Sequence, residues 1–329
     1  MQPASSDLLG AGALAALEGR PLQVLEGEAL TGTSADWPIR IVIDRAGTVP
    51  DLDPAQFDAA VTVCPDAPAP WVTVAPVRLD AAIDRVRTVV AKAPVASTVL
   101  ARVLRAGENL SFETALELES LAYSTLLGGS EFGAWLHARP TPVADRQDRP
   151  PVRYARDGDC VSLTLASPGN HNAMTAVMRD ALFEALANVV EDPSHPRLVL
   201  RSEDRCFSVG GHLAEFGTAT DLARAHLIRA TRSCATLLHR LGDRAQVRVH
   251  GACIGSGAEI AAAAAHRIAA PDSFVQLPEV AMGLIPGAGG TVSLARAISR
   301  HRVLWLALGN FRLGAQQALR WGLFHAIEA

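Results

Sequence analysis

Of 329 residues, 49% are hydrophobic and 19% charged, enough apolar side chain to bury a sizeable core in one large domain or two modest ones, and too much for a disordered chain. The net charge of −4 excludes the electrostatic footprint of a nucleic-acid binder, and no run reaches the ~18 apolar residues of a membrane span. Five scattered cysteines (Cys64, Cys160, Cys206, Cys234, Cys253) include no Cys-x-x-Cys pair, and no basic residue precedes Arg20 to open a signal peptide, so they read as reduced thiols of a cytoplasmic protein.

Met1 to about Thr31 is rich in Ala, Leu and Gly and predicts no element. Pro38–Asp44 alternates like a strand. Asp58–Cys64 and Trp71–Val74 are two more short strands, punctuated by Asp53-Pro54, Pro65-Asp66 and Pro68–Pro70. Four helices follow. Leu79–Val90 places Ile83, Val86, Val89 and Val90 at helical spacing, and a second helix runs from about Val95 to Arg105. A third spans about Phe112–Leu127, with Ser111 as its N-cap and Glu113 in its first turn. A fourth begins near Ser130 and ends near Ala138. They read as a helical packing unit without a catalytic motif. Lys92, in this part, is the one lysine of the chain, which leaves Schiff-base chemistry almost no candidate. Arg139–Arg153 holds four prolines and six charged residues. That composition marks a linker at 141–151 between an N-terminal segment, 1–140, and a core, 152–329.

From Val152 strands and helices alternate, the pattern of an α/β layer fold. Val161–Leu165 is a strand, Asn172-Ala173-Met174 opens a helix to about Val190, and Arg197–Leu200 is the next strand. Phe207–Leu213 is a glycine turn, Thr218–Leu241 is mostly helix, and Gln246–Val249 is a strand. Arg267–Ala270 and Phe274–Gln276 read as edge-like strands. Helices follow at about Gly290–Ile298, His301–Leu308 and Ala315–Trp321.

The stretch Val249-His250-Gly251-Ala252-Cys253-Ile254-Gly255-Ser256-Gly257-Ala258-Glu259 reads as a strand end, a glycine-rich turn and a helix from near Gly257 through Ala265. Such a turn lets backbone N–H groups point outward with no Cβ in the way. The helix N-terminus adds partial positive charge, so developing negative oxygen is welcome there. Glu259, in the first turn beside those donors, suggests acid/base chemistry on a carbonyl compound. A first-turn Glu that only faces the helix dipole is the plainer alternative. A second stretch weighs against it: Leu277–Gly290 carries Glu279 as a lone acid in an apolar run, which is costly unless paired or used. Two such acids could bracket one water or one substrate proton. The histidines show no metal-ligand spacing. Pro286–Gly290 lacks the Gly-Lys-Ser/Thr ending of a phosphate loop, and Gly255-x-Gly257 lacks the rest of a dinucleotide fingerprint. No metal and no redox cofactor are expected.

These stretches resemble the enoyl-CoA hydratase/isomerase (crotonase) family. The resemblance rests on the His250-Gly251 turn, on Glu259 and Glu279 twenty residues apart, and on the Ile-Pro-Gly-Ala-Gly-Gly run at Ile285–Gly290. Cys206–Leu213 resembles the family's Phe-x-Ala-Gly-x-Asp-Leu loop. Asn172-Ala173 and Trp321-Gly322-Leu323 also fall in family order, so the likeness covers about residues 152–329. It implies an α/β, crotonase-like spiral of sheet and helix built from ββα repeats. It further implies an acyl-CoA thioester substrate, no cofactor beyond the coenzyme A of that substrate, and a homo-oligomer, trimer or hexamer. The backbone N–H groups of Gly211 and Ser256 match the family's oxyanion hole, and Glu259 and Glu279 match its hydratase pair. Val209, Gly210, His212, Leu213, Gly255, Pro286 and Gly287 become candidates for the substrate pocket. Ser256 stands where the family usually has Gly, and His212 where it usually has Asp. His212 would cap the following helix or face the acyl chain, while His250 reads as a packing residue. The implied activity is hydration of the 2,3 double bond of an enoyl-CoA. Isomerisation or another thioester-enolate reaction is the alternative, and a catalytically silent scaffold or partner subunit is a third reading.

In the family this core is followed by a helical tail, whereas here the sequence ends at Ala329. Leu79–Arg139 resembles that tail in order and spacing, through Ala93-Pro94, Arg102, Tyr123-Ser124-Thr125 and His137-Ala138-Arg139-Pro140. The resemblance implies a permuted arrangement, or a tandem duplication whose eroded first copy survives at 38–75. The N-terminal helices would then dock on the core in cis or on a neighbouring protomer. An unrelated helical domain is the competing reading.

Overall fold

The computed structural model describes residues 18–26, 39–139 and 150–328. Of the linker expected at 141–151, only Pro150 and Pro151 lie within the described residues.

The first strands are β1 (Leu22–Glu26), β2 (Ile39–Asp44), β3 (Ala59–Thr62) and β4 (Trp71–Thr73). They pair in chain order and all in parallel. β1 lies in the stretch whose composition predicts no element. β2 is buried along its whole length, as a β-branched run between two covered faces should be. Ile39, Ile41 and Ile43 enter the main core, while Val42 packs with Phe57, Ala60 and Trp71 in a smaller cluster. Helices α1 (Pro76–Lys92), α2 (Pro94–Gly107), α3 (Phe112–Leu127) and α4 (Ser130–Ala138) follow. Proline opens α1 and α2, where its missing N–H has no partner to lose. Ser111 caps α3 by accepting the Thr114 N–H at 3.2 Å. Ser111→Ala is expected to cost about 1 kcal/mol in urea unfolding. A midpoint equal to the wild type's would remove the cap from this account.

The remaining strands are β5 (Val152–Asp157), β6 (Cys160–Leu165), β7 (Arg197–Ser202), β8 (Ala245–Val249), β9 (Ala252–Ile254), β10 (His266–Ala269), β11 (Phe274–Gln276), β12 (Leu313–Gly314) and β13 (Ala326–Ile327). Between them run α5 (Ala176–Glu191), α6 (Leu222–Thr231), α7 (Cys234–Leu241), α8 (Ser256–Ala262), α9 (Gly290–Ile298), α10 (Arg300–Gly309) and α11 (Ala315–Arg320). A six-stranded sheet has the order β13-β10-β8-β7-β6-β5, parallel except for the β5–β6 hairpin. A small sheet has the order β12-β11-β9. Thus β10 and β11 are interior strands, not edges. This mixed α/β arrangement is the fold class expected from the alternating pattern.

Three helix boundaries differ from expectation for local reasons. Asn172 does not open α5. It sits in the left-handed region (φ 54°), and Thr175 caps the helix by accepting the Met178 N–H at 3.0 Å. The helix expected over 218–241 is two helices, because Ser233 restarts it by capping Thr236. The helix after the central turn ends at Ala262 rather than Ala265.

One apolar core runs through Ile39–Phe132 and Val161–Phe324. The N-terminal strands and helices therefore pack on the C-terminal part of their own chain. α1, α2 and β3 lie against α10, α2 and α3 against α9, and α3 against α6. Every residue of α10 is buried, although three of them are polar. The Arg302 guanidinium donates to the carbonyls of Trp71 and Ala67 and stacks on Trp321. Arg300 donates to those of Phe57 and Pro54 and lies by Asp58, which also pairs with Arg105. Such carbonyl and carboxylate partners offset the cost of burying guanidinium groups. No helix among the described residues is long and apolar enough to cross a membrane.

Candidate active site

Two turns meet at the centre of the molecule. In the first, Asn172 is fully buried. Its Oδ1 accepts the Ser167 N–H at 2.8 Å, and its Nδ2 donates to the Glu203 carbonyl at 2.7 Å. Its own carbonyl takes the Ser208 hydroxyl at 2.7 Å, so Asn172 braces the loop Phe207–Leu213. Met174 bridges to that loop through the Gly210 carbonyl and the His212 N–H, and passes over the Gly211 N–H. The second turn leads from β9 into α8 through Gly255, whose φ of +48° an L side chain rarely adopts. A Cβ at Gly255 would also lie 2.5 Å from Glu279 Oε1. The two turns touch, since a Cβ at Gly210 would lie 2.9 Å from the Ile254 carbonyl oxygen. Among the described residues neither the Gly211 N–H nor the Ser256 N–H has an acceptor. Both residues line one cavity of about 910 Å³.

Glu259 and Glu279 enter the same cavity from α8 and from the short 3₁₀ turn Glu279–Met282. Both are buried. Glu259 Oε2 accepts the Ala288 N–H at 2.6 Å and the Gly290 N–H at 2.9 Å. Glu279 Oε2 is buried without a partner, as are Ser256 Oγ and His212 Nδ1. Three unpaired polar atoms around one cavity are a signature of a site built for a ligand. His212 lines the cavity and caps no helix. His250 lies outside it, bonded to the Asp204 carbonyl at 2.9 Å. Gly287 lines the cavity, whereas Val209, Gly210, Leu213, Gly255 and Pro286 do not. Leu213 is half exposed.

The N-terminal helices, read from sequence as packing only, bring chemistry to this wall. Glu119 on α3 is buried, its Oε1 accepting the Gly289 N–H at 2.7 Å. Its Oε2 accepts the Thr291 N–H at 2.8 Å and the Thr291 hydroxyl at 2.7 Å. The four successive N–H groups of 288–291 thus alternate between Glu259 and Glu119. Two carboxylates hold the start of α9, where the helix N-terminus favours negative charge. Tyr123, one turn on, packs so close to Gly287 that a Cβ there would lie 2.4 Å from its ring. Arg229 on α6 stacks 4.5 Å above that ring.

Burial sets the acidities. It drives the Glu279 carboxyl up to about 8 and Glu119 up to about 7. Glu259 is raised well above the carboxylate range by burial, then by repulsion from Glu279 and Glu119. Three interacting carboxyls hold protons as a cluster rather than singly. Burial also raises the Tyr123 phenol, keeping it a neutral O–H donor. Among the described residues no group of three His, Cys, Asp or Glu side chains is arranged to hold a metal ion.

The family described as enoyl-CoA hydratase/isomerase matches residues 156–329, more than half of the chain. The chain belongs to the enoyl-CoA hydratase/isomerase family. The enoyl-CoA hydratase of Thermoplasma volcanium GSS1 is 27% identical, with a TM-score of 0.50, over 55% of this chain and 72% of that one. An enoyl-CoA hydratase/carnithine racemase from Magnetospirillum magneticum shares the fold at 20% identity and a TM-score of 0.50, covering 55% of this chain and 69% of that one. An enoyl-CoA hydratase from Mycobacterium smegmatis is 26% identical, with a TM-score of 0.49, over 55% of this chain and 71% of that one. The family match begins at residue 156, so Glu119 and Tyr123 come to this cavity from outside the matched segment.

Proposed function

We propose that the protein hydrates the 2,3 double bond of an enoyl-CoA. The observation that carries this reading is a pair of buried carboxyls facing one cavity beside two backbone N–H groups that have no protein acceptor. The thioester oxygen sits between the Gly211 and Ser256 N–H groups, which stabilise it as it gains charge. One carboxylate of the Glu259–Glu279 pair takes a proton from water as the oxygen attacks Cβ. The other carboxyl gives its proton to Cα. The result is a 3-hydroxyacyl thioester, and the proton has moved from one carboxyl to its neighbour; its return resets the site. The raised acidity range of the pair suits this, because one proton must remain in the site at neutral pH.

One asymmetry favours a second reading. Glu259 is held by two N–H groups, whereas Glu279 Oε2 is unpartnered, so Glu279 alone could carry a proton between Cα and Cγ and shift the double bond. Incubation with crotonyl-CoA and, separately, with a 3-enoyl-CoA distinguishes the two. Loss of the conjugated thioester absorbance, with 3-hydroxybutyryl-CoA formed, is expected. Turnover of a 3-enoyl-CoA to the 2-enoyl isomer without water uptake would replace hydration by isomerisation. Inertness toward both classes, with the thioester still bound, would move the protein to a non-catalytic role.

A further inference from the structure

Beside the two carboxyls the cavity holds a polar pair that hydration does not use. Arg229 Nη1 is engaged by Ser120 and Ser124, at 3.1 Å and 3.0 Å from their hydroxyls. Its Nε and Nη2 have no protein acceptor among the described residues and are not sealed off by burial. No described carboxylate lies within ion-pair distance of this guanidinium. The Tyr123 hydroxyl, under the same guanidinium, also has no partner among the described residues. A largely buried cation without a direct ion pair is costly even with the Glu119 and Glu259 carboxyls nearby, and burial is the first cause of a lowered Arg229 pKa. A guanidinium edge and a phenol O–H on one wall make a fork suited to a carboxylate.

Its place on the wall says which part of a ligand it meets. The Tyr123 ring touches Gly287, the neighbour of Ala288, whose N–H holds Glu259. Glu259 has to reach the carbons beyond the thioester, so the wall beside it faces the acyl chain and not coenzyme A. We propose that Arg229 and Tyr123 form a carboxylate-binding site for the far end of the acyl chain, so that the protein takes the coenzyme A monothioester of a dicarboxylic acid. This rests on the acyl-thioester reading of the cavity, though not on which reaction follows.

Calorimetric titration with glutaryl-CoA and butyryl-CoA tests it without turnover, since the two differ by the terminal carboxyl. Glutaryl-CoA is expected to bind about tenfold more tightly, the scale of one charge-assisted contact net of desolvation. Arg229→Gln is expected to bring that ratio to about one, and Tyr123→Phe to reduce it part-way. Arg229→Lys, which keeps the charge without the fork, is expected to fall between, and stands in should the Gln variant fail to fold. Equal binding by the wild type would overturn the proposal. So would an Arg229→Gln loss shared equally by both thioesters and by free coenzyme A, which would place the guanidinium on the phosphates. Hydration of glutaconyl-CoA beside crotonyl-CoA is read separately. No turnover of either, with the glutaryl preference intact, would remove hydration and leave the carboxylate site.

Discussion

Glu279→Gln is expected to lower kcat for enoyl-CoA hydration about 10²–10⁴-fold, the range of one general acid/base group, while the fold persists. Gln has the same shape and fills the same space against Gly255. The variant also carries a thermodynamic signature that an incidental loss of activity would not. In the unfolded chain the Glu279 carboxyl ionises near its ordinary 4.5, and in the folded chain at about 8. Between those values the unfolded state has released a proton that the folded state keeps. Stability therefore falls as pH rises from about 4.5 to about 8. Gln carries no such penalty. The Tm of the wild type is expected to match that of Glu279→Gln below about pH 4.5 and to drop behind it as pH rises through the window. Thermal unfolding at a series of pH values, beside steady-state rates, checks both halves. Full turnover in the variant would remove Glu279 from the chemistry. A Tm difference that ignores pH would mean that Glu279 is not the buried, protonated group described.

How much of this was legible in the sequence depended on how local the signal was. Glu259, Glu279 and the Ile285–Gly290 run lie within about thirty residues and carry their meaning in their spacing, and the cavity contains both acids. The capped helix at Ser111 was readable because a cap acts on its own next turn. β1 was not, because five residues of Leu-Gln-Val-Leu-Glu fit a helix as well as a strand, and pairing with β2 decides. Asn172 misled because a short polar side chain opens helices and also braces loops; its partners at Ser167 and Glu203 choose the second. Tyr123 and Arg229 meet only through tertiary packing, a hundred residues apart in the chain. Glu119 did leave a trace. Phe112, Ala115, Glu119 and Leu126 share the buried face of α3, so a carboxylate occupied a core position of an amphipathic helix. That is the same anomaly that singled out Glu279, met in a segment read as packing alone.

Glu119→Ala is expected to destabilise the protein by about 3–5 kcal/mol, because three donors around one carboxylate lose their acceptor at once and each unpaired buried donor costs about 1–3 kcal/mol. Glu119→Gln keeps one carbonyl oxygen, and the Thr291 hydroxyl can turn to accept its amide, so a smaller loss is expected in urea unfolding. The Gln variant separates a structural role from an electrostatic one. Every hydrogen-bond partner of Glu119 donates to it, which favours its charged form, and its pKa, about 7, lies below the 8 of Glu279. Negative charge on Glu119 therefore favours protons on Glu259 and Glu279, both of which are raised by it. Removing that charge lets the pair ionise more easily. The acid limb of the kcat/KM profile is expected to move to lower pH in Glu119→Gln, with kcat at the plateau reduced far less than in Glu279→Gln. A plateau loss without a shift would make Glu119 a clamp for the start of α9 and nothing more. A shift without instability would show that the N-terminal helices set the proton affinity of the Glu259–Glu279 pair, which is carried wholly by the other half of the chain.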